Sequence, residues 1–447
     1  MKYLLKNKDN IVLEFEVSLK HSAISNNFEE SAENIAIKDK NLLPISMDSN
    51  NIQKNLLNWI KKRKAPTNRS YIKKIISTYK DNTREEKIMD YVDISFALSL
   101  NDSYWITPAD KQYSWQQYNL YSNDFAKSLE LAAFGIQSQK VSGFTSSPEY
   151  TTNGMLPKCW HRENGGIYLY KGSSKIYENG EVYSEYYMSQ VAKLLDFSHA
   201  HYDLKMFHNR LVSTCPIFTN ENEGYMPIGY CIDTNTRKEK GFTLINEVEK
   251  IYGKESLQNL MLFDALICNV DRHLGNFGMI IDNNTNELLH PAPIFDNGLS
   301  MMTTLSADEL RDDKEFLGFE KSAFEISFNN QLEYSTQPRH IPNLEKLQTF
   351  EFKKHKEFNL PDEWLESIQK AIQDRARLAI DFCHKKQPKT TKQPQSAADK
   401  IRAMPKSSQE ERQKVRAFLD AAKQAHNADK AQESAQSQSK PKTRSKQ

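Results

Sequence analysis

Apolar residues follow one another almost without a break from Leu257 to Cys268, where Leu260, Met261, Leu262, Phe263, Ala265, Leu266 and Ile267 are interrupted only by Asp264. That pattern predicts a helix buried on all sides. Ser184-Glu185 opens a second helix, whose apolar positions Tyr187, Val191, Leu194 and Leu195 recur at helical spacing. Extended segments lie between and beyond. Gly166–Lys171 is β-rich, and Leu211–Thr219 reads as a strand and hinge in which Pro216 argues against an uninterrupted central strand. Phe277–Ile281 and Glu287–Leu289 flank the turn signal Asp282-Asn-Asn-Thr-Asn286, a hairpin that leads through Pro291–Phe295 to Asp296. Nearer the start, Leu56–Lys64 reads as a helix stopped by Ala65-Pro66, and Tyr71–Tyr79 as a second helix. Asn101–Pro108 reads as an aromatic turn, and Tyr118–Phe134 as containing an amphipathic helix built on Phe125, Leu129, Leu131 and Phe134. The mixture predicts an α+β protein with no internal repeat.

Length and charge divide the chain. Its 447 residues allow two to three domains. From Gln387 onward 14 Lys/Arg face 6 Asp/Glu; this tail net of +8, against +2 for the whole chain, leaves −6 for residues 1–386. Gln387–Ser396 is a linker by composition, and Glu433–Gln447 is mostly Ser, Gln and Lys, too polar to build a core. Between them Ser408–Ala425 would form one amphipathic helix on Val415, Phe418, Leu419 and Ala422. The expected organisation is an accessory region at 1–140, a catalytic core divided into 141–240 and 241–386, and a disordered basic tail at 387–447, the one segment suited to nucleic acid. Five scattered cysteines (Cys159, Cys215, Cys231, Cys268, Cys383) suggest neither a disulfide framework nor a metal site. With no apolar run of membrane-spanning length and no signal-peptide core after Met1, a cytoplasmic protein without membrane contact is expected.

The chemistry concentrates in Asn269-Val-Asp-Arg-His-Leu-Gly-Asn276 and Ile294-Phe-Asp-Asn-Gly298. Phosphoryl transfer needs a carboxylate beside the attacking hydroxyl, for which Asp271 qualifies. It also needs hard oxygen ligands for Mg²⁺, for which Asn276 and Asp296 qualify. The hairpin would return Asp296 to Asn276. Arg272 reads as a salt-bridge partner, and His273 as a structural histidine bonded to backbone or Asp296. Upstream, Tyr150-Thr-Thr-Asn-Gly154-Met-Leu-Pro-Lys158 is a turn-rich loop whose small residues let backbone N–H groups approach phosphates. Lys171 at the end of its strand would anchor a nucleotide, with Glu185 as partner; a first-turn helix position alone would also favour Glu185. Phe218 and Thr219 are candidates for an adenine pocket, with core packing the competing role of Phe218. No Gly-x-x-x-x-Gly-Lys-Ser/Thr or Gly-x-Gly-x-x-Gly occurs, which disfavours P-loop NTPases and dinucleotide enzymes.

Asn269-x-Asp271-x-His273-x-x-Asn276 resembles the signature of HipA-like serine/threonine kinases, the toxin kinases of bacterial toxin–antitoxin pairs, over roughly Ser142–Phe382. The resemblance implies a two-lobed kinase fold with an accessory N-terminal region, ATP and Mg²⁺ as cofactors and a protein substrate. It carries Thr151, Thr152, Asn153 and Gly154 over as nucleotide contacts. It also implies self-phosphorylation in that loop, at Thr151 or at Ser146, Ser147 or Thr152, and a DNA-binding antitoxin partner. Phosphoinositide kinases carry a similar Asp-Arg-His-x-x-Asn, so a lipid or small-molecule kinase stays open, as does a non-catalytic pseudokinase. Asp296-Asn-Gly298, in place of Asp-Phe-Gly, fits the HipA-like side.

Overall fold

Leu13 and Phe15 are buried while the intervening Glu14 and the following Glu16 are not, the two-residue period of a strand with one face on a core. In the computed structural model this strand, β2 (Asn10–His21), lies between β1 (Lys2–Asn7) and β3 (Phe28–Ile37). The structure describes residues 1–21, 28–47, 49–66, 70–77, 88–137, 147–175, 178–306 and 318–386. The chain separates into two units, 1–386 and 387–447. The expected helix at Ser408–Ala425 and the tail around it lie outside the described residues, as do Ser142 and Ser146.

The first sheet runs β3-β2-β1-β4, antiparallel throughout, with β4 at Tyr104–Pro108. Here the structure corrects the sequence reading. The aromatic segment expected as a turn is a strand, and its Trp105 and Ile106 are wholly buried. Helix α1 (Ile52–Lys62) lays Leu56, Trp59 and Ile60 on the sheet core formed by Leu5, Leu13, Phe15 and Ile106. Two short helices follow, α2 (Ile72–Ser77) and α3 (Ile88–Ser95). A one-turn helix, α4 (Trp115–Tyr118), comes first, and the amphipathic helix expected within Tyr118–Phe134 is α5 (Lys127–Ala133), which carries Leu129 and Leu131 while Phe125 and Phe134 fall just outside its ends. Asn119 ends the first: its side chain accepts from the Tyr121 and Ser122 amides, at 3.0 and 2.8 Å, and so bends the backbone into a turn.

A second antiparallel sheet, ordered β5-β6-β8-β7, is built from β5 (Lys158–Glu163), β6 (Gly166–Lys171), β7 (Asp203–Phe207) and β8 (Arg210–Pro216), with α6 (Gly180–Leu194) between its second and third strands. Pro216 closes β8, where its missing N–H costs nothing. The expected hairpin is present as β10 (Gly278–Asp282) and β11 (Leu288–Pro291), and β9 (Glu223–Pro227) adds a third strand beside β10. Helices α7 (Ile228–Cys231), α8 (Gly241–Tyr252), α9 (Lys254–Ile267), α10 (Met301–Thr304), α11 (Phe328–Ser335), α12 (Ile341–Leu347) and α13 (Asp362–Lys386) form the remainder. The core gathers around α9, whose residues from Leu260 to Ile267 are all buried. Helix α13 brings Leu365, Ile368, Ile372, Ala376 and Ala379 to it at steps of three and four, the spacing of one helix face. Among the described residues no helix is long and apolar enough to cross a membrane.

One segment of the first sheet region is tied to three later parts of the chain. Thr151 Oγ1 donates to the Leu98 carbonyl at 2.6 Å, Thr219 Oγ1 to the Leu100 carbonyl at 2.6 Å, and the Tyr225 amide to the Asn101 carbonyl at 2.7 Å. Arg63 stiffens this segment through a bidentate pair with Asp102, at 2.7 and 2.9 Å, and bonds to the Ala97 and Tyr104 carbonyls.

Candidate active site

Helix α9 stops at Cys268, which takes the left-handed conformation at φ 53° and turns the chain into Asn269–Asn276. Asn269 Oδ1 accepts from the Asp271 amide at 3.0 Å, a side-chain turn that sets where Asp271 emerges. The loop is tied down by Arg272. Its guanidinium pairs with Asp264 of α9 at 3.0 Å, both side chains being only 1% exposed. It also donates to the Asn276 carbonyl at 2.9 Å, to Asn297 Oδ1 at 2.8 Å and to the Phe295 carbonyl. One buried cation thus holds Asn276 and the Phe295–Asn297 segment together, which is the convergence expected of the hairpin. The salt-bridge reading of Arg272 holds, and Asp264 is its partner.

Lys171 ends β6 with its Nζ against Glu185 Oε1 at 2.6 Å and against the Asp296 carboxylate. Glu185 Oε2 accepts from the Asn297 amide at 2.8 Å, and the Asp296 amide donates to the Tyr202 hydroxyl at 3.1 Å. The position of Glu185 differs from the sequence expectation. Helix α6 begins at Gly180, so Glu185 sits in its second turn, beyond the reach of a first-turn preference. It is wholly buried, and Lys171 and the Asn297 amide occupy its two oxygens. Asp296 itself is left-handed, at φ 58°, a conformation Asp tolerates and one that often marks a site where geometry takes precedence over backbone comfort.

The electrostatics follow from this triad. Burial alone would lower Lys171, but Asp296 and Glu185 outweigh it and hold the ammonium well above its ordinary range. Asp296 is pulled far below the usual carboxylate range; burial opposes this, and Lys171 and Lys158 overcome it. Asp271 is raised, first by partial burial and then by the Asp296 carboxylate, against the pull of His273, Lys171 and Arg272. Asn276 Nδ2 donates to the Asp271 carbonyl at 2.9 Å, which turns its Oδ1 to the other side.

The Thr151–Gly154 loop reaches this group through Lys158. Lys158 opens β5 directly opposite Lys171 of β6, and its charge acts on Asp296. Gly154 packs against the Lys158 ammonium and has φ 90°, so a side chain there meets both a neighbour and a forbidden backbone. The hydroxyls of Thr151 and Thr152 turn to backbone carbonyls, of Leu98 at 2.6 Å and Pro148 at 2.7 Å, and the amides of Thr151, Thr152 and Gly154 donate within the loop, to the Pro148 carbonyl at 3.0 and 2.8 Å and to Asn153 Oδ1 at 2.9 Å, so a phosphate there would have to replace these bonds. Gly154→Ala is expected to cost about 1 kcal/mol or more in stability and to weaken nucleotide binding by displacing Lys158; denaturant unfolding and a nucleotide titration of the same variant check both.

Phe218 packs with Tyr225 and Phe295 at ring separations of 5.8 and 5.4 Å, alongside Ile280 and Ala292, so the core-packing role describes it. Thr219 is committed to the Leu100 carbonyl. His273 is 59% exposed; it accepts from the Gly275 amide at 3.0 Å and lies 4.0 Å from Asp271, so the carboxylate it faces is Asp271 rather than Asp296. The reading of motifs missed Lys158, Tyr202 and Asn297 as members of the site. Asp264 carried a signal, since a carboxylate inside a fully apolar helix requires a partner.

The model of the HipA-like kinase family matches residues 153–393, more than half of the chain and every polar group of this cluster. The chain belongs to the HipA-like kinase family. Among solved structures it is similar to the proinflammatory kinase CtkA of Helicobacter pylori, with 19% identity over 52% of this chain and 90% of that one and a TM-score of 0.45. It is also similar to HipA of Shewanella oneidensis MR-1, solved with HipB and its operator DNA, with 12% identity over 86% and 98% and a TM-score of 0.48. No curated protein matches this chain. Family membership accounts for the mixed helix-and-sheet fold and for a kinase-type cluster on α9, β6, α6 and the segment after β11.

Proposed function

We propose that this HipA-like kinase is an ATP- and Mg²⁺-dependent serine/threonine protein kinase. The observation that carries the reading is Lys171 held between Glu185 and Asp296, with Asn276 and Asp271 on the loop that Arg272 ties to the same segment.

The donor set fits the metal. Among the described residues no group of three or more His, Cys, Asp or Glu could hold an ion by itself. Asn276 Oδ1 and Asp296 are two hard oxygens, and Mg²⁺ characteristically takes one or two protein oxygens and completes its shell with phosphates and water. Bound there, the ion would neutralise phosphate charge. Lys171 would hold the nucleotide phosphates, Glu185 would hold Lys171 in place, and Lys158 with the Thr151–Gly154 loop, once its internal amide bonds give way, would line the phosphate side. Asp271 would orient the substrate hydroxyl and accept its proton at the carboxylate. Most of the acceleration would come from positioning and charge neutralisation.

The raised Asp271 sets a pH dependence. Below its pKa the carboxyl is protonated and cannot take the hydroxyl proton, so kcat/KM rises with pH. The midpoint of that acid limb should lie above the ordinary aspartate value of about 3.9. A limb at or below the ordinary value would remove Asp271 from the role of base.

Residue specificity is tested by offering protein, phosphoinositide and small-molecule acceptors and mapping the product. Phosphoserine or phosphothreonine on protein supports the proposal, and transfer to lipid alone replaces it with the lipid-kinase reading. Two extensions follow from the family. Phosphate in the loop containing Thr151 would repel nucleotide phosphates and close the site; phosphopeptide mapping after incubation with ATP checks it. A DNA-binding antitoxin partner agrees with the HipB-bound neighbour, and capture from the host that recovers no such protein would speak against it.

A further inference from the structure

The Asp271–Asn276 loop has a basic neighbour built from two distant parts of the chain. Helix α7 is pinned to the loop: the Gly229 amide donates to the Leu274 carbonyl at 3.0 Å, and the Ile228 amide to the Phe277 carbonyl at 2.9 Å. The approach is close enough that a Cβ on Gly229 would come within 3.2 Å of the Leu274 carbonyl oxygen. The next residue, Tyr230, carries a cation over its ring from each side of the sequence. Lys62, the last residue of α1, has its Nζ 4.5 Å from the ring centroid, and the Arg237 guanidinium lies at 5.9 Å.

The two cations are held together although they repel one another. Burial and then Arg237 lower Lys62 from its ordinary value, and among the described residues no carboxylate acts to restore it. Arg237 uses its Nε on the Ile232 carbonyl at 3.0 Å, which leaves the outer edge of its fork. Asp233, four residues before Arg237, turns its carboxylate to the Asn235 and Thr236 amides and the Thr236 hydroxyl, and among the described residues no carboxylate forms a salt bridge with Lys62 or Arg237. Lys61, exposed beside it at the end of α1, adds a further positive charge. Stacking on Tyr230 offsets part of the repulsion, but a like-charge pair gains most from an anion that arrives with a ligand.

Resting on the protein-kinase reading above, we propose that Lys62, Arg237 and the Tyr230 ring form a specificity site. It would select protein substrates with acidic residues a few positions from the target hydroxyl. Leu274 is three residues from Asp271, so the site lies within about three to six residues of extended peptide from the base. Lys62 gives the accessory region a direct part in choosing the substrate.

The test uses the full-length protein and three otherwise matched peptides, each with one serine flanked by acidic, neutral or basic residues. The readout is the ratio of kcat/KM for the acidic to the neutral peptide. The wild type should favour the acidic peptide by roughly tenfold at low ionic strength, mostly through KM, and less as salt rises. Lys62→Ala with Arg237→Ala should bring the ratio close to one, and Lys62→Glu with Arg237→Glu should invert it in favour of the basic peptide. Wild-type ratios near one, or a preference that survives charge reversal, overturn the site while leaving the kinase reading intact. Nucleotide binding without transfer to any peptide overturns the protein-kinase reading, and this site with it.

Discussion

Asp264→Ala should lower the stability of the folded body by roughly 3–5 kcal/mol, the usual penalty for stranding one member of a fully buried ion pair. Arg272 would keep its charge with no carboxylate beside it, in a place where both side chains are 1% exposed. The damage should reach the site. Arg272 joins the loop at Asn276 to the segment at Phe295 and Asn297, so loss of its anchor loosens the two proposed metal ligands together. Removing both charges, as Asp264→Leu with Arg272→Met, should recover much of the stability and none of the transfer, because the hydrogen bonds to the Asn276 and Phe295 carbonyls are gone. Denaturant unfolding of the three proteins measures this. A single variant as stable as the wild type would show that the pair is not the anchor described.

The second large effect is expected at Lys171. Lys171→Met should cut phosphoryl transfer by about 10²–10³, the range seen when one group that stabilises transferring charge is removed. It should also leave Glu185 and Asp296 facing each other with no cation between them. In the wild type Asp296 is depressed by Lys171, so its contribution to stability is present above the unfolded carboxylate value and lost as pH falls through the folded one. The variant should lack that contribution, and one carboxyl should take up a proton nearer neutrality. Lys171→Met with Glu185→Gln should restore stability and leave activity low. Recovery of activity in that double variant would mean that Lys171 serves the fold alone.

The two ends of this cluster were unequally legible in the sequence. Asp271, Asn276, Asp296 and Lys171 stand out because each is a polar residue at the edge of an apolar or extended run, whereas Glu185 stood out only as a partner for Lys171 and its helix starts a turn earlier than its pattern suggests. The hairpin at Asp282–Asn286 was readable from its turn residues for the same reason. The segment Asn101–Pro108 was misread because Asn101-Asp-Ser signals a turn, while the burial of Trp105 and Ile106 against β1 makes the strand; tertiary pairing overrode local signals there. The helix expected within Tyr118–Phe134 is present as α5 but leaves out Phe125 and Phe134, and the Asn119 side-chain turn ahead of it is invisible to periodicity. Lys158 and Tyr202 belong to the site through cross-strand register and a single hydrogen bond, and neither leaves a mark on one-dimensional spacing. The clamp on Thr151, Thr219 and Tyr225 joins residues 98–101 to positions more than 50 residues away, which no local reading reaches.

The central claim is that Asp271 serves phosphoryl transfer in an intact, nucleotide-binding fold. Its most direct test is incubation of the wild type and Asp271→Asn with γ-labelled ATP and Mg²⁺, followed by intact mass and phosphopeptide mapping. The account predicts phosphate on the wild type and a rate lower by about 10²–10⁴ for the variant, with nucleotide binding retained. Equal transfer by both proteins, or no transfer by a wild type that binds ATP and is offered a full panel of acceptors, would contradict it.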